Sequence, residues 1–272
     1  MSLIEITSQH QYFPDLREAW RHRRLAVVLA RRNIKVRYMQ TLLGSVWIVI
    51  QPLLLTGVLT VVFGLLLSVP TDGIPYGIYT FTGTVVWSAF QRALTGTCIS
   101  LACSSNIILK VYFPRLLIPV SSILTTFIDT LPVYFVLLAV NTAFGQFTGW
   151  LILLSPLFLL MALTMAFAIG IWVTVLDAVF RDIRLLVPSV LQLVFFITPV
   201  MYSQTSVPHR WLLVYRLNPF LGLINGFRWS MLVQAAAPDI LDIAWSLGFT
   251  FLMLVGGLML FARLETFVVD RV

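Results

Sequence analysis

Charge is scarce in this chain of 272 residues: only 11% are Asp, Glu, Lys or Arg. A soluble domain carries about a quarter. With 59% hydrophobic residues and a mean hydropathy of +0.95, the chain reads as an integral membrane protein. Histidine is nearly absent, and His10, His22 and His209 are scattered, none beside a carboxylate. Cys98 and Cys103 lie in or beside an apolar stretch without metal-ligand spacing, so reduced, structural thiols are expected. No phosphate loop G-x-x-x-x-G-K-[ST], no H-E-x-x-H and no G-x-S-x-G occurs, which leaves the common nucleotide, zinc and serine-hydrolase chemistries without their residues. Only Arg92 and Asp129 fall deep within apolar segments. Two groups are too few for a proton or ion relay, so the energy for any transport is expected from another subunit. The polar N-terminus lacks a short apolar stretch with a cleavage site, and no signal peptide is expected.

What is present is apolar sequence in long blocks. Residues 1–40 are too charged to span a bilayer, and Leu16, Trp20, Val27, Ala30 and Ile34 trace one helical face. Arg17, Arg21, Arg24, Arg31 and Lys35 recur on another face, with Arg32 and Arg37 nearby. This spacing predicts a basic amphipathic helix in the membrane interface. Its cations suit anionic lipid headgroups or, more sharply, a phosphate-bearing substrate. No charge occurs from Tyr38 to Thr71, room for one span that Gln51-Pro52 should kink. Further spans are expected over about 78–102, 116–140, 150–176, 185–202 and 243–262, with a turn at Gly145–Gly149.

Residues 203–242 return to polar character. Asn218-Pro219 is a helix start, followed by an apolar face of Phe220, Leu223, Ile224, Phe227 and Met231. A helix of roughly 16 residues is too short to cross, so a re-entrant or interfacial element is expected. Its Arg228, like Arg210, is expected near headgroups or water. With both termini on one side, the N-terminal segment, the bends at 110–119 and 177–184 and the tail hold 14 of the 18 basic residues. That asymmetry places both termini in the cytoplasm, with six spans. The fold class is therefore all-α and membrane-embedded, with residues 1–40 a cytoplasmic segment and 41–272 the transmembrane domain.

Three features invite a function. The bend Lys110-Val-Tyr-Phe-Pro-Arg-Leu-Leu-Ile-Pro119 is basic and broken by prolines. It is either a connecting turn with anchoring cations or a docking surface for a cytoplasmic partner. Arg92 and Asp129 are expensive in hydrocarbon, so each needs a partner or water. An Arg92–Asp129 pair pinning two spans is one reading, and a substrate contact the other. Trp47, Trp150, Trp211 and Trp245 fall near the expected interfaces, as a membrane belt would. The facing of Phe81, Trp87 and Phe90 is open.

Read together, Arg31-Arg-Asn-Ile-Lys-Val-Arg-Tyr38, Gln40-Thr-Leu-Leu-Gly44 and Trp47–Pro52 resemble the N-terminal signature of ABC-2-type polysaccharide permeases. Lys110–Arg115, Phe180–Arg184, Thr198–Tyr202 and Leu217-Asn218-Pro219 follow in the same order. The resemblance covers about residues 28–232 and looks most like the permease subunit of O-antigen exporters, with capsule and teichoic-acid exporters as close relatives. Asn33 stands where the commonest form of the first motif has aspartate.

The resemblance implies a homodimeric permease in the bacterial inner membrane, served by two separate ATP-binding subunits. The substrate would be a glycan on undecaprenyl pyrophosphate, with ATP and magnesium held by the partner and no cofactor in this chain. It implies contact with the ATP-binding subunit through Lys110, Tyr112, Phe113 and Arg115, with Arg181 and Asp182 of the second bend. Arg24, Arg31, Arg32, Lys35 and Arg37 become candidates for the pyrophosphate. Asn218, Pro219, Phe220, Phe227 and Arg228 become candidates for an outer gate. Membrane lipids are the other expected partners, and nucleic acid is not expected. An ABC-2 permease for a small lipid or drug would share this fold. A membrane transferase on lipid-linked sugars would need clustered carboxylates, and Asp177/Asp182 and Asp239/Asp242 fall on opposite sides.

Overall fold

The computed structural model describes residues 16–39, 41–104, 113–180 and 182–269, and all regular structure among them is helical. A short α1 (Leu16–Arg21) leads into α2 (Arg23–Tyr38). Then come α3 (Trp47–Leu59), widened into a π-helix over Thr60–Leu66, and α4 (Tyr76–Cys98). A single turn, α5 (Ser100–Cys103), precedes α6 (Leu117–Ala143), and α7 (Ser155–Val179) follows a 3-10 segment at Gly149–Leu154. The remainder is α8 (Ile183–Ile197), α9 (Leu212–Arg216), α10 (Phe220–Met231) and α11 (Ile240–Val269).

Local chemistry explains several of these boundaries. Pro119 falls in the first turn of α6, where its missing N–H costs no hydrogen bond. Gly145 and Gly149 carry φ of +70° and +63° in the turn between α6 and α7, a conformation that side chains with a Cβ resist. The Asn218 side-chain oxygen accepts from the Phe220 backbone N–H at 3.0 Å, capping α10.

Among the described residues, four stretches are long and apolar enough to cross a membrane: Gly44–Leu66, Leu117–Ala143, Gly149–Val179 and Ile240–Arg263. Two of the six expected spans fall short, for different reasons. Helix α8 is apolar but has 15 residues, about 22 Å at 1.5 Å per residue against a hydrocarbon core of about 30 Å. Helix α4 has 23 residues but is rich in Thr, Gly and Ser, and most of it is buried. It is the hub of the bundle, packed against α3, α6, α7, α8 and α10. A helix surrounded by protein has no need of a lipid-facing apolar surface.

The helices meet at two ends. At one, Ala26 and Leu29 of α2 join Leu101, Phe113, Leu117, Val175 and Phe261 in a cluster that we term the basic end. At the other, Tyr76 donates to the Met201 carbonyl at 2.8 Å, and Thr148 to that of Ser230 at 2.6 Å. Phe81, Trp87 and Phe90 all point inward, and Trp87 lies 5.4 to 5.6 Å from the rings of Phe90, Phe195 and Phe220. Trp47, Trp150, Trp211 and Trp245 are exposed on the bundle surface.

Candidate functional site

The basic helix α2 lies along the start of α6. Its buried residues are Ala26, Leu29 and Ala30. The expected apolar face is therefore rotated: Ala30 is buried and Ile34 half-buried, but Trp20 and Val27 are 70% and 44% exposed. Small residues let α2 approach α6 closely, as at helix contacts within membranes. The Leu16 side chain lies outside the described set. The contact is polar as well, with Asn33 donating to the Ser121 hydroxyl and the Thr125 hydroxyl to the Ala30 carbonyl, both at 3.4 Å. Asn33 thus carries a neutral contact between helices. Arg24, Arg31, Arg32 and Lys35 are exposed.

Arg37, the last cation of α2, forms an ion pair with Asp129 of α6. Asp129 is 3% exposed and Arg37 39% exposed, so a cation from the surface reaches a buried carboxylate. This corrects the expected Arg92–Asp129 pair. Arg92 lies close enough to interact with Asp129 electrostatically, but its Nε and Nη2 are buried without a hydrogen-bond partner among the described residues. A pairing of two spans leaves out a third helix, and the hydrogen-bonding partner comes from α2, which packs along α6.

Arg37, Tyr38, Thr41, Gly44, Trp47, Ile48, Gln51 and Arg92 line a cavity of about 380 Å³ at this junction. A larger groove of about 650 Å³ runs along α3 between Ile50 and Val62 and is lined almost entirely by aliphatic side chains. Burial, together with the Asp129 carboxylate, pushes the Tyr38 phenol up to about 12, so it stays a neutral donor.

The candidate docking residues are only partly described: Lys110, Tyr112 and Arg181 lie outside the described residues. Phe113 is buried in the core of the basic end, so it supports the bend from within and presents no surface. Arg115 is half-buried, and Asp182 is exposed immediately before α8. The neighbouring Arg184 closes the second bend, giving Nε and Nη2 to the two Asp177 oxygens at 2.9 Å each.

Arg228 in α10 departs most from expectation, being 2% exposed rather than at headgroups or water. Its Nη1 donates to the Tyr79 hydroxyl at 2.8 Å and the Pro199 carbonyl at 2.6 Å, and Nη2 to the Val200 carbonyl at 2.7 Å. The guanidinium also lies 3.6 Å above the centre of the Tyr79 ring. The cause is the end of α8 at Ile197, after which the Pro199 and Val200 carbonyls lie in a turn outside any helix ladder. A helix end leaves carbonyls unpaired, and in a dry setting they need a donor. Phe220, Leu223, Ile224, Phe227 and Met231 are buried as well. Nearby, Asp72 (φ +53°) accepts from the Ser203 and Thr205 hydroxyls, tying the loop after α3 to the segment after α8. The signal for Arg228 was present in the sequence: Thr198-Pro199 interrupts an apolar helix and leaves backbone acceptors behind.

The profile of the ABC-2 type transporter family matches residues 24–232, so it takes in α2, the cavity and α10. The chain is 28% identical to the O-antigen export system permease protein RfbA of Myxococcus xanthus over 229 residues, 82% of this chain and 86% of the relative. It is also 28% identical to the protein of that name from Klebsiella pneumoniae over 245 residues, 89% of this chain and 92% of the relative. A second Klebsiella pneumoniae protein of that name is 27% identical over 244 residues. A family match across most of the chain, on a bundle with several apolar spans, leads to one conclusion: this is a multi-pass membrane protein that belongs to the ABC-2 type transporter family.

Proposed function

We propose that this chain is the permease subunit of an exporter that moves an undecaprenyl-pyrophosphate-linked polysaccharide of the O-antigen type across a bacterial inner membrane. It works as a homodimer with two separate ATP-binding subunits, which hold the ATP and magnesium. Both termini and the basic end face the cytoplasm. The observation that carries this reading is the match to O-antigen export permeases over 82–89% of the chain.

The arrangement suits the task. Arg24, Arg31, Arg32 and Lys35 remain on the free face of α2, where guanidinium groups can gather a pyrophosphate headgroup by paired hydrogen bonds. Asp182 and the bend that follows residue 112 lie at the same end, available to a motor subunit. Residues 203–234 form the closing element at the outer end.

Deletion of the gene, followed by separation of internal from surface polysaccharide, tests the proposal. The expected result is a lipid-linked polymer retained inside the cell and absent from the surface. The class of polymer retained separates O-antigen from capsule or teichoic acid. Normal surface polysaccharide in the deletion strain overturns the proposal.

A further inference from the structure

The cavity at the junction of α2, α3 and α4 contains more donors than its own residues satisfy. Arg92 Nε and Nη2 are buried with no acceptor among the described residues. The Tyr38 hydroxyl lies beside the Arg37–Asp129 pair, within reach of the Asp129 carboxylate. Both residues line the same space, together with Arg37. Its charge is two guanidinium groups against the one carboxylate of Asp129, a surplus of one positive charge. An apolar bundle tolerates a buried, unmatched guanidinium poorly, and such groups mark sites of function. The cavity is also within reach of the membrane surface: Thr41 and Trp47 on its wall are exposed, at the start of the first span.

We infer that this cavity is an anion subsite for a phosphate-bearing lipid headgroup, with Arg92 as its inner guanidinium and Arg37 as its outer one. The inference rests on the proposed lipid-diphosphate substrate and adds the place where its headgroup is held. In the structure Arg37 is engaged by Asp129. An arriving phosphate competes with that carboxylate for Arg37 while it fills the empty donors of Arg92. The carboxylate therefore works against the ligand, lowering affinity and making release possible. A headgroup with two adjoining phosphates can bridge both arginines, whereas a single phosphodiester engages one. The same chemistry could come from a polyprenyl diphosphate or from an anionic phospholipid, and the diphosphate uses more of the donors present.

The full-length permease in phosphatidylcholine nanodiscs is titrated with undecaprenyl diphosphate, and separately with phosphatidylglycerol, with bound lipid counted by native mass spectrometry. Arg92→Gln is expected to weaken diphosphate binding by about 10-fold, and Arg92→Lys, which keeps the charge but loses the fork, by roughly 3-fold or more. Asp129→Asn is expected to tighten binding by roughly 3-fold or more, because the competing charge is gone. A gain in affinity is not an effect that poor folding produces. Arg210→Gln, exposed at the opposite end, should bind as wild type does. Wild-type affinity in both Arg92 variants, or weaker binding by Asp129→Asn, overturns the subsite. Wild-type preference for phosphatidylglycerol overturns the diphosphate as its ligand. Either result leaves export intact as the proposed function, since that is decided by the polymer retained in the deletion strain.

Discussion

Replacing Arg228 with leucine tests whether the outer end is held by satisfied carbonyls. Leucine keeps the site apolar and removes every donor. The change strands the Pro199 and Val200 carbonyls, which now accept at 2.6 and 2.7 Å. A buried acceptor left without a donor costs about 1–3 kcal/mol. Loss of the stacking on Tyr79, 3.6 Å away, adds about 1–2 kcal/mol. Removing a buried charge offsets part of this. The net destabilisation is about 2–4 kcal/mol, which for a chain of this size lowers the melting temperature by roughly 5–10 °C. Fluorescence-detected size-exclusion of heated, detergent-solubilised protein reads that shift directly. Gly83→Ala approaches the same contact from the other side, since a Cβ there would lie 2.8 Å from Arg228 Nη2. It should shift melting in the same direction and add little to Arg228→Leu. An Arg228→Leu protein that melts with wild type would refute the reasoning, because the carbonyls would then need no donor.

Three further outcomes are expected. A double-mutant cycle on Arg37 and Asp129 should give a coupling of about 1–3 kcal/mol in thermal or denaturant unfolding, larger than that for Arg92 and Asp129; the reverse ranking would return Asp129 to Arg92. Gly222→Ala should sharply reduce folded yield, since its Cβ would lie 2.3 Å from the Asp242 carbonyl oxygen, whereas Gly248→Ala, with nothing within 4 Å, should be neutral or slightly stabilising; equal yields would mean that α10 and α11 do not pack this closely. Arg115→Glu should uncouple ATP hydrolysis from export while the permease still reaches the membrane, and failure of cysteines at 114 and 115 to crosslink to the ATP-binding subunit would remove the docking role.

What the sequence made legible follows from how local the cause is. The start of α10 was readable because asparagine capping and a proline in the first turn act within a few residues, and Asn218 does cap Phe220. The existence of a basic helix was readable from its periodicity, but its packed face was not. In a membrane interface both lipid and protein take apolar side chains, so hydrophobicity alone does not say which stripe meets α6. Residue size says more: Ala26 and Ala30 are buried while Trp20 and Val27 are left outside. Similarly, depth along a span can be counted, but direction around its axis cannot, so spacing alone does not say which arginine meets Asp129. The polar character of α4 was readable too; its central position was not, because the shielding comes from five other helices.

Arg228, buried in the bundle, and Arg92, half-buried on a cavity wall, illustrate how an intramembrane charge should be read. Residue type is shared, so it does not separate structure from function. The acceptor count does. Arg228 fills three of its donor positions with a hydroxyl and two carbonyls that would otherwise be stranded, and Nε is its one nitrogen without a partner among the described residues. Such a guanidinium belongs to the fold, and its removal should be felt in stability first. Among the described residues, Arg92 leaves Nε and Nη2 without a partner on the wall of a cavity, while the Asp129 carboxylate is held by Arg37. Its removal should therefore be felt less in folding than in binding, since few bonds within the protein are lost. The comparison also predicts which conservative change each site tolerates. Lysine at 228 can serve at most part of a fixed set of acceptors and should melt early. Lysine at 92 should melt close to wild type and fail only when the anion is offered.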